Sequence, residues 1–257
     1  SNFIFADNLE YFQQEVNYVI DVVLDDKKHE LNGNIEIEYI NNSPDNLKEI
    51  FFHLWPNAYQ DHCTALCKQK IRNKKIDLYY ANKTDRGFID NLNFKVNGDP
   101  IKYELDQNNK DICKLILNGV VQSGDTIKII TDFRVKIPDA KFSRLGHTGQ
   151  AYYITQWYPK PAVFDNNGWN VMPYLDQGEF YSEFGSFDVS ITLPKNYVVG
   201  ATGDLQNEDE KDFLNTLAEK TSKIKDFSDD MSFPKSSDDF KTLRYIQNNI
   251  HDFAWFA

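Results

Sequence analysis

The sequence predicts an all-β chain, an antiparallel β-sandwich with a minor helical part. Three observations predict it. At least eight segments alternate apolar and polar residues with the period of two that marks a half-buried strand. Turn signals recur every 8 to 15 residues between them. Aromatic residues make up 14% of the chain, and flat side chains pack well on a pleated surface.

Tyr11 opens the strand-like part, and Val16, Tyr18, Ile20, Val22 and Leu24 share one face. A polar stretch and the expected turn at Asn32-Gly33 lead to Ile35, Ile37 and Tyr39, which alternate with Glu36 and Glu38. Asn41-Asn42-Ser43-Pro44 ends that hairpin, and Leu47 to Leu54 reads as the next strand. A short helix is expected over residues 61–69. Asn97-Gly98 sits between two alternating runs, the strongest local hairpin signal in the chain. Ile112 to Leu117 is another strand, and Ser123-Gly124-Asp125 turns into the run from Ile127 to Val135.

Tyr152 to Leu193 combines an aromatic strand, a long aromatic loop and the alternating run Phe187, Val189, Ile191, Leu193. A loop this rich in Trp, Tyr, Phe, Gln and Glu between two strands is where a β scaffold places recognition chemistry. Residues 204–239 are acidic and lysine-rich. Phe213, Leu214, Leu217 and Ile224 fit one helical stripe there, so residues 209–225 are expected as an amphipathic helix within an inserted segment. Residues 1–257 are expected to form a single domain around that insertion.

A net charge of −11 argues against a nucleic-acid partner, which needs clustered Lys and Arg. No run of roughly 18 apolar residues occurs, so no membrane-spanning helix is expected. Cys63, Cys67 and Cys113 are an odd number and no disulfide framework; with only His62 nearby they make no metal site. His29-Glu30 is the only His-Glu dipeptide, and it lacks a second histidine four positions on. There is no G-x-S-x-G elbow, no P-loop and no G-x-G-x-x-G. The chain carries no recognisable reaction centre of its own.

Several fragments in order carry a resemblance. Ile154-Thr-Gln-Trp-Tyr-Pro-Lys160, Trp169-Asn-Val-Met-Pro-Tyr174, Gly178-Glu-Phe-Tyr-Ser-Glu-Phe-Gly185 and Asp188-Val-Ser-Ile-Thr-Leu-Pro194 come first. Glu15-Val-Asn-Tyr18, Phe52-His-Leu-Trp-Pro-Asn-Ala58, Val199-Gly-Ala-Thr-Gly203 and His251-Asp-Phe-Ala-Trp-Phe256 agree with them. Together they resemble the saddle-like N-terminal β domain of the M1 family of zinc aminopeptidases, the gluzincins.

The resemblance implies a noncatalytic domain that forms one wall of the substrate cleft of an enzyme releasing N-terminal amino acids. Its implied partners are a catalytic domain on the same polypeptide and the N-terminus of a peptide substrate. Zinc is implied in that catalytic domain, bound by H-E-x-x-H and a downstream Glu, with substrate gripped by G-x-M-E-N. Neither motif occurs in this sequence, so the catalytic domain is expected to be absent, the stretch to hold no metal, and residues 1–257 to be inactive alone.

The family's loop matching residues 155–158 carries a Gln and, two residues later, a Glu or Gln that hold the substrate's α-amine. These map onto Gln156, whose amide oxygen can accept from an ammonium, and onto Tyr158, an uncharged phenol that departs from the commoner pattern. Glu179, in the same loop system, is the carboxylate that could take its place. The face expected to meet the catalytic domain includes Trp157, Tyr158 and Phe256, and its exposure predicts self-association. The alternative of another class is a stand-alone β-sandwich for interaction or carbohydrate binding, supported by the aromatic loop and acidic surface. The compartment stays open between cytoplasmic and exported.

Overall fold

The strand Glu15–Asp25 runs through the middle of a nine-stranded sheet. Its alternation fixes what it buries: Val16, Tyr18, Ile20, Val22 and Leu24 are all at most 3% exposed, and the residues between them face outward. A computed structural model describes residues 11–178, 180–226, 230 and 232–257.

On one side Glu15–Asp25 pairs antiparallel with Glu30–Ile40, which pairs antiparallel with Thr126–Lys136. The tight hairpin Lys95–Val96 and Asp99–Pro100 extends that edge, turning at Asn97 and Gly98, both at positive φ. The Asn32-Gly33 turn does not form. The chain reverses over the polar residues after Asp25, and Gly33 lies inside the strand opposite Val22. A Cβ on Gly33 would stand 2.5 Å from Phe133 Cζ and 2.9 Å from the Asp21 carbonyl oxygen, so glycine makes room for a ring.

The other side corrects the antiparallel expectation. Gly185–Pro194 lies parallel to Glu15–Asp25, with Tyr18 opposite Phe187 and Val22 opposite Ile191. Phe240–Ile250 then returns antiparallel beside it. The all-β class holds, and the sheet is mixed at its centre. Gly185 opens the parallel pair where a Cβ would fall 1.8 Å from the Val16 carbonyl oxygen, an approach only glycine allows.

A second layer crosses over between these strands. Leu47–His53 is its centre, flanked by Ile112–Val121 and by Lys160–Pro161. A third small sheet joins Gly146–Thr148, Ala151–Ile154, Trp255–Phe256 and Gly200–Ala201. The inward faces meet in one buried cluster that includes Phe52, Trp55, Phe133, Trp157, Phe187 and Trp255. Full burial of a side chain of this size contributes about 1.5–3 kcal/mol. Trp157 and Tyr158, expected on an exposed face, are 0% and 2% exposed; Phe256 is the exposed member, at 46%.

The first helix is Ala65–Arg72, later than expected, because Thr64 caps it by accepting a hydrogen bond from the Cys67 amide at 3.3 Å. The second, Glu208–Thr221, has three acidic residues in its first turn, where the helix dipole favours them. Of its expected apolar stripe, Leu214 and Leu217 are half-buried, Phe213 is exposed and Ile224 lies exposed beyond the helix end; the buried residue is Glu210, paired with Lys241 at 2.6 Å. Among the described residues no helix is long and apolar enough to cross a membrane.

Candidate functional site

The site grows from a failure of alternation. Ala151–Ile154 still alternates, but every residue from Gln156 to Phe164 is buried. Gln156 causes the switch. It adopts φ 54°, a left-handed conformation that costs a side-chain-bearing residue about 1 kcal/mol or more. A segment buried on all sides must satisfy its polar groups internally.

Strand pairing supplies the partner. Ile154 lies opposite Trp255, which brings Asp252 and Phe253 alongside Gln156, Trp157 and Tyr158. The Trp157 indole N–H donates to the Phe253 carbonyl at 3.0 Å. Asp252 then collects the rest. Its Oδ1 accepts from the Tyr158 hydroxyl at 2.7 Å and the Phe253 amide at 3.0 Å, and its Oδ2 accepts from the Gln156 side-chain amide. Lys160, 2% exposed, sits 3.2 Å from Asp252 Oδ1 and donates to Gln156 Oε1 at 3.2 Å.

Lys160 also lies over aromatic rings, 4.7 Å from the Trp55 centroid and 5.6 Å from that of Tyr158. Burial pulls its ammonium below the usual lysine range, and the Asp252 carboxylate resists that pull. Burial and the Asp252 charge both push the Tyr158 phenol upward, so it stays a protonated donor. His53, 1% exposed, is lowered to about 3 by burial and then by Lys160, so it is neutral at physiological pH. It stacks on Trp55 at 4.5 Å. Its Nε2 accepts from the Met172 amide at 3.4 Å, which places the proton on Nδ1, an atom with no partner among the described residues.

The structure therefore brings Gln156 and Tyr158 together, and both turn onto the protein. The Gln156 carbonyl oxygen, expected to accept from a substrate amine, already accepts from Lys160. Tyr158 donates, so it supports a carboxylate instead of replacing one. Glu179 lies outside the described residues. Asp252 and Lys160 lie within the family-like fragments of the sequence but form no motif of their own. The signal that could have found them is a lone carboxylate and a lone lysine inside strongly apolar segments, a placement that demands pairing. Of the cluster, Asp252 is the most open to solvent, its side chain 17% exposed.

Among the described residues no group of three or more His, Cys, Asp or Glu side chains could hold a metal.

No family model matches the chain, and no curated protein does. Among solved structures it is similar to an M1 zinc metallopeptidase from Deinococcus radiodurans, with 11% identity and a TM-score of 0.47, covering 95% of this chain and 42% of that one. It is similar as well to a mutant two-domain M1 zinc metallopeptidase bound to L-arginine, with 10% identity, a TM-score of 0.47 and the same coverage. A structure with the same mutation, bound to L-tryptophan, gives 11% identity and a TM-score of 0.48, with 95% and 43% covered. The chain spans less than half the length of each of these.

Proposed function

We propose that this chain is a noncatalytic β domain of a zinc aminopeptidase, walling one side of the cleft that receives a peptide's free N-terminus. The sequence fragments that resemble M1 aminopeptidases, in order along the chain, motivate it. The observation that carries it is the pairing of Gln156 with Asp252 at the end of an otherwise buried loop. Asp252 Oδ1 holds Tyr158, Lys160 and the Phe253 amide, whereas Oδ2 holds one amide. Oδ2 accepts one hydrogen bond among the described residues, the Asp252 side chain is 17% exposed, and an ammonium is the donor a carboxylate favours most. In this reading Asp252 meets the substrate amine, Gln156 flanks it, and Tyr158 with Lys160 holds the carboxylate in place.

The zinc and the water it activates belong to the catalytic domain, whose motifs are expected downstream of Ala257 in the same gene. A gene product without H-E-x-x-H would sink the proposal. In the longer product, Asp252→Asn should lower kcat/KM on amino-acid anilides by about tenfold to a hundredfold, largely through KM, for loss of a charged hydrogen bond. An unchanged kcat/KM would remove Asp252 from amine recognition.

A further inference from the structure

A cavity of about 250 Å³ opens where the Val163–Asp165 strand meets the segment before Gly185. Glu183 lines it, 4% exposed. Its Oε1 accepts from the Phe164 amide at 3.3 Å, and among the described residues no side chain donates to Oε2. The neighbouring Ser182, 6% exposed, lines the same cavity with a buried hydroxyl that also has no partner among the described residues. Half of the lining is aromatic, including Phe164, Phe180, Tyr181 and Phe184, and a second carboxylate, Asp165, joins Glu183. Neither lysine nor arginine lines it among the described residues.

A buried carboxylate without a cation is costly, and aromatic faces attract positive charge. Phe180 shows that preference on its other contacts, where the Arg144 guanidinium lies 5.0 Å from its ring. We propose that this cavity binds an ammonium-type cation carried on a short apolar or aromatic stem, with Glu183 as the counter-charge and the rings as the walls. The stem suits the Phe and Tyr lining; the cation completes Glu183. This inference does not rest on the aminopeptidase reading, and it stands or falls separately.

Burial first, then the Asp165 charge, raises Glu183 to about 8, against the Phe164 hydrogen bond. The other ionisable groups around it are the phenols of Tyr18, Tyr39 and Tyr181, which feel its charge, and Tyr11 and His251 on the cavity lining. A bound ammonium would favour the ionised carboxyl and release its proton. Affinity should therefore rise with pH up to about 8 and then level off while the ligand stays protonated.

The test titrates residues 1–257 with 2-phenylethylamine by calorimetry, with 2-phenylethanol as the neutral match. Saturable amine binding at least tenfold tighter than the alcohol is expected at pH 8.5. At pH 6.5 it should be roughly twentyfold weaker, following the ionised fraction of Glu183. Glu183→Gln should abolish the preference. Because that variant could perturb folding, the wild-type Glu183 carboxyl is followed in parallel by carbon NMR, and the amine should lower its apparent pKa by about one unit or more. A peptide with an acetylated N-terminus and one internal lysine separates a polypeptide side chain from a free amine as the source. Equal affinity for amine and alcohol, or an unmoved Glu183 titration, overturns the proposal.

Discussion

Asp252 and Glu183 are both acids taken largely out of water, and the protein treats them differently. Asp252 is met by a tyrosine hydroxyl, a glutamine amide, a backbone amide and a lysine ammonium. Glu183 is met by one backbone amide and a cavity. Burial pushes the Glu183 carboxyl up to about 8; in the other cluster burial lowers Lys160 against the pull of the carboxylate, and burial with the carboxylate charge raises Tyr158. A carboxylate met by several of the protein's own donors is held in place. One left short of donors in an open cavity is a place for something else to bind.

That comparison breaks most easily at Asp252. Asp252→Ala leaves the buried Lys160 ammonium and the Tyr158 hydroxyl without their acceptor, and should destabilise the chain by about 3–5 kcal/mol in urea unfolding. A loss below about 1 kcal/mol would show that water replaces the carboxylate readily, and the two acids would then be alike.

Glu183 should reveal itself through pH. It titrates near 8 in the folded chain against 4.5 ordinarily, so the folded state keeps a proton that the unfolded state has released. Its contribution is fully present below about 4.5 and is lost as pH rises through about 8, on the order of 5 kcal/mol in all. Glu183→Gln should flatten that slope and be more stable than wild type at pH 8.5. Parallel slopes in the two proteins would mean that Glu183 is ionised without strain.

Tyr158→Phe should cost about 2 kcal/mol, the scale of a hydrogen bond to a charged acceptor, with its thermal midpoint lowered at neutral pH. The smallest change is expected from the double replacement Asp252→Asn with Lys160→Met. Removing both charges of a buried pair is often near neutral, so the double variant should lie within about 1 kcal/mol of wild type. A penalty as large as that of Asp252→Ala would show that the pair confers stability beyond mutual neutralisation.

Much of the fold was legible because its signals are local. The alternation of Val16 to Leu24 and of Phe187 to Leu193 names their buried faces, and Asn97-Gly98 turns where the two residues predict. Gly33 reads as a turn in the sequence because a glycine after an asparagine looks the same whether it frees φ or clears space for Phe133. The site was half legible. Gln156 and Tyr158 stand out through the resemblance, but the partner that turns both inward lies 96 and 94 positions away.

By itself the sequence determined that strands form, where most begin and end, and which faces are apolar, since period and turn chemistry act over a few residues. Only the tertiary structure decided that Glu15–Asp25 and Gly185–Pro194 run parallel, that nine consecutive residues from Gln156 to Phe164 are buried, and which acids are paired. Those outcomes depend on which strands become neighbours. Burial and charge pairing belong to that arrangement, because an aspartate surrounded by donors and a glutamate short of them carry the same group in the sequence.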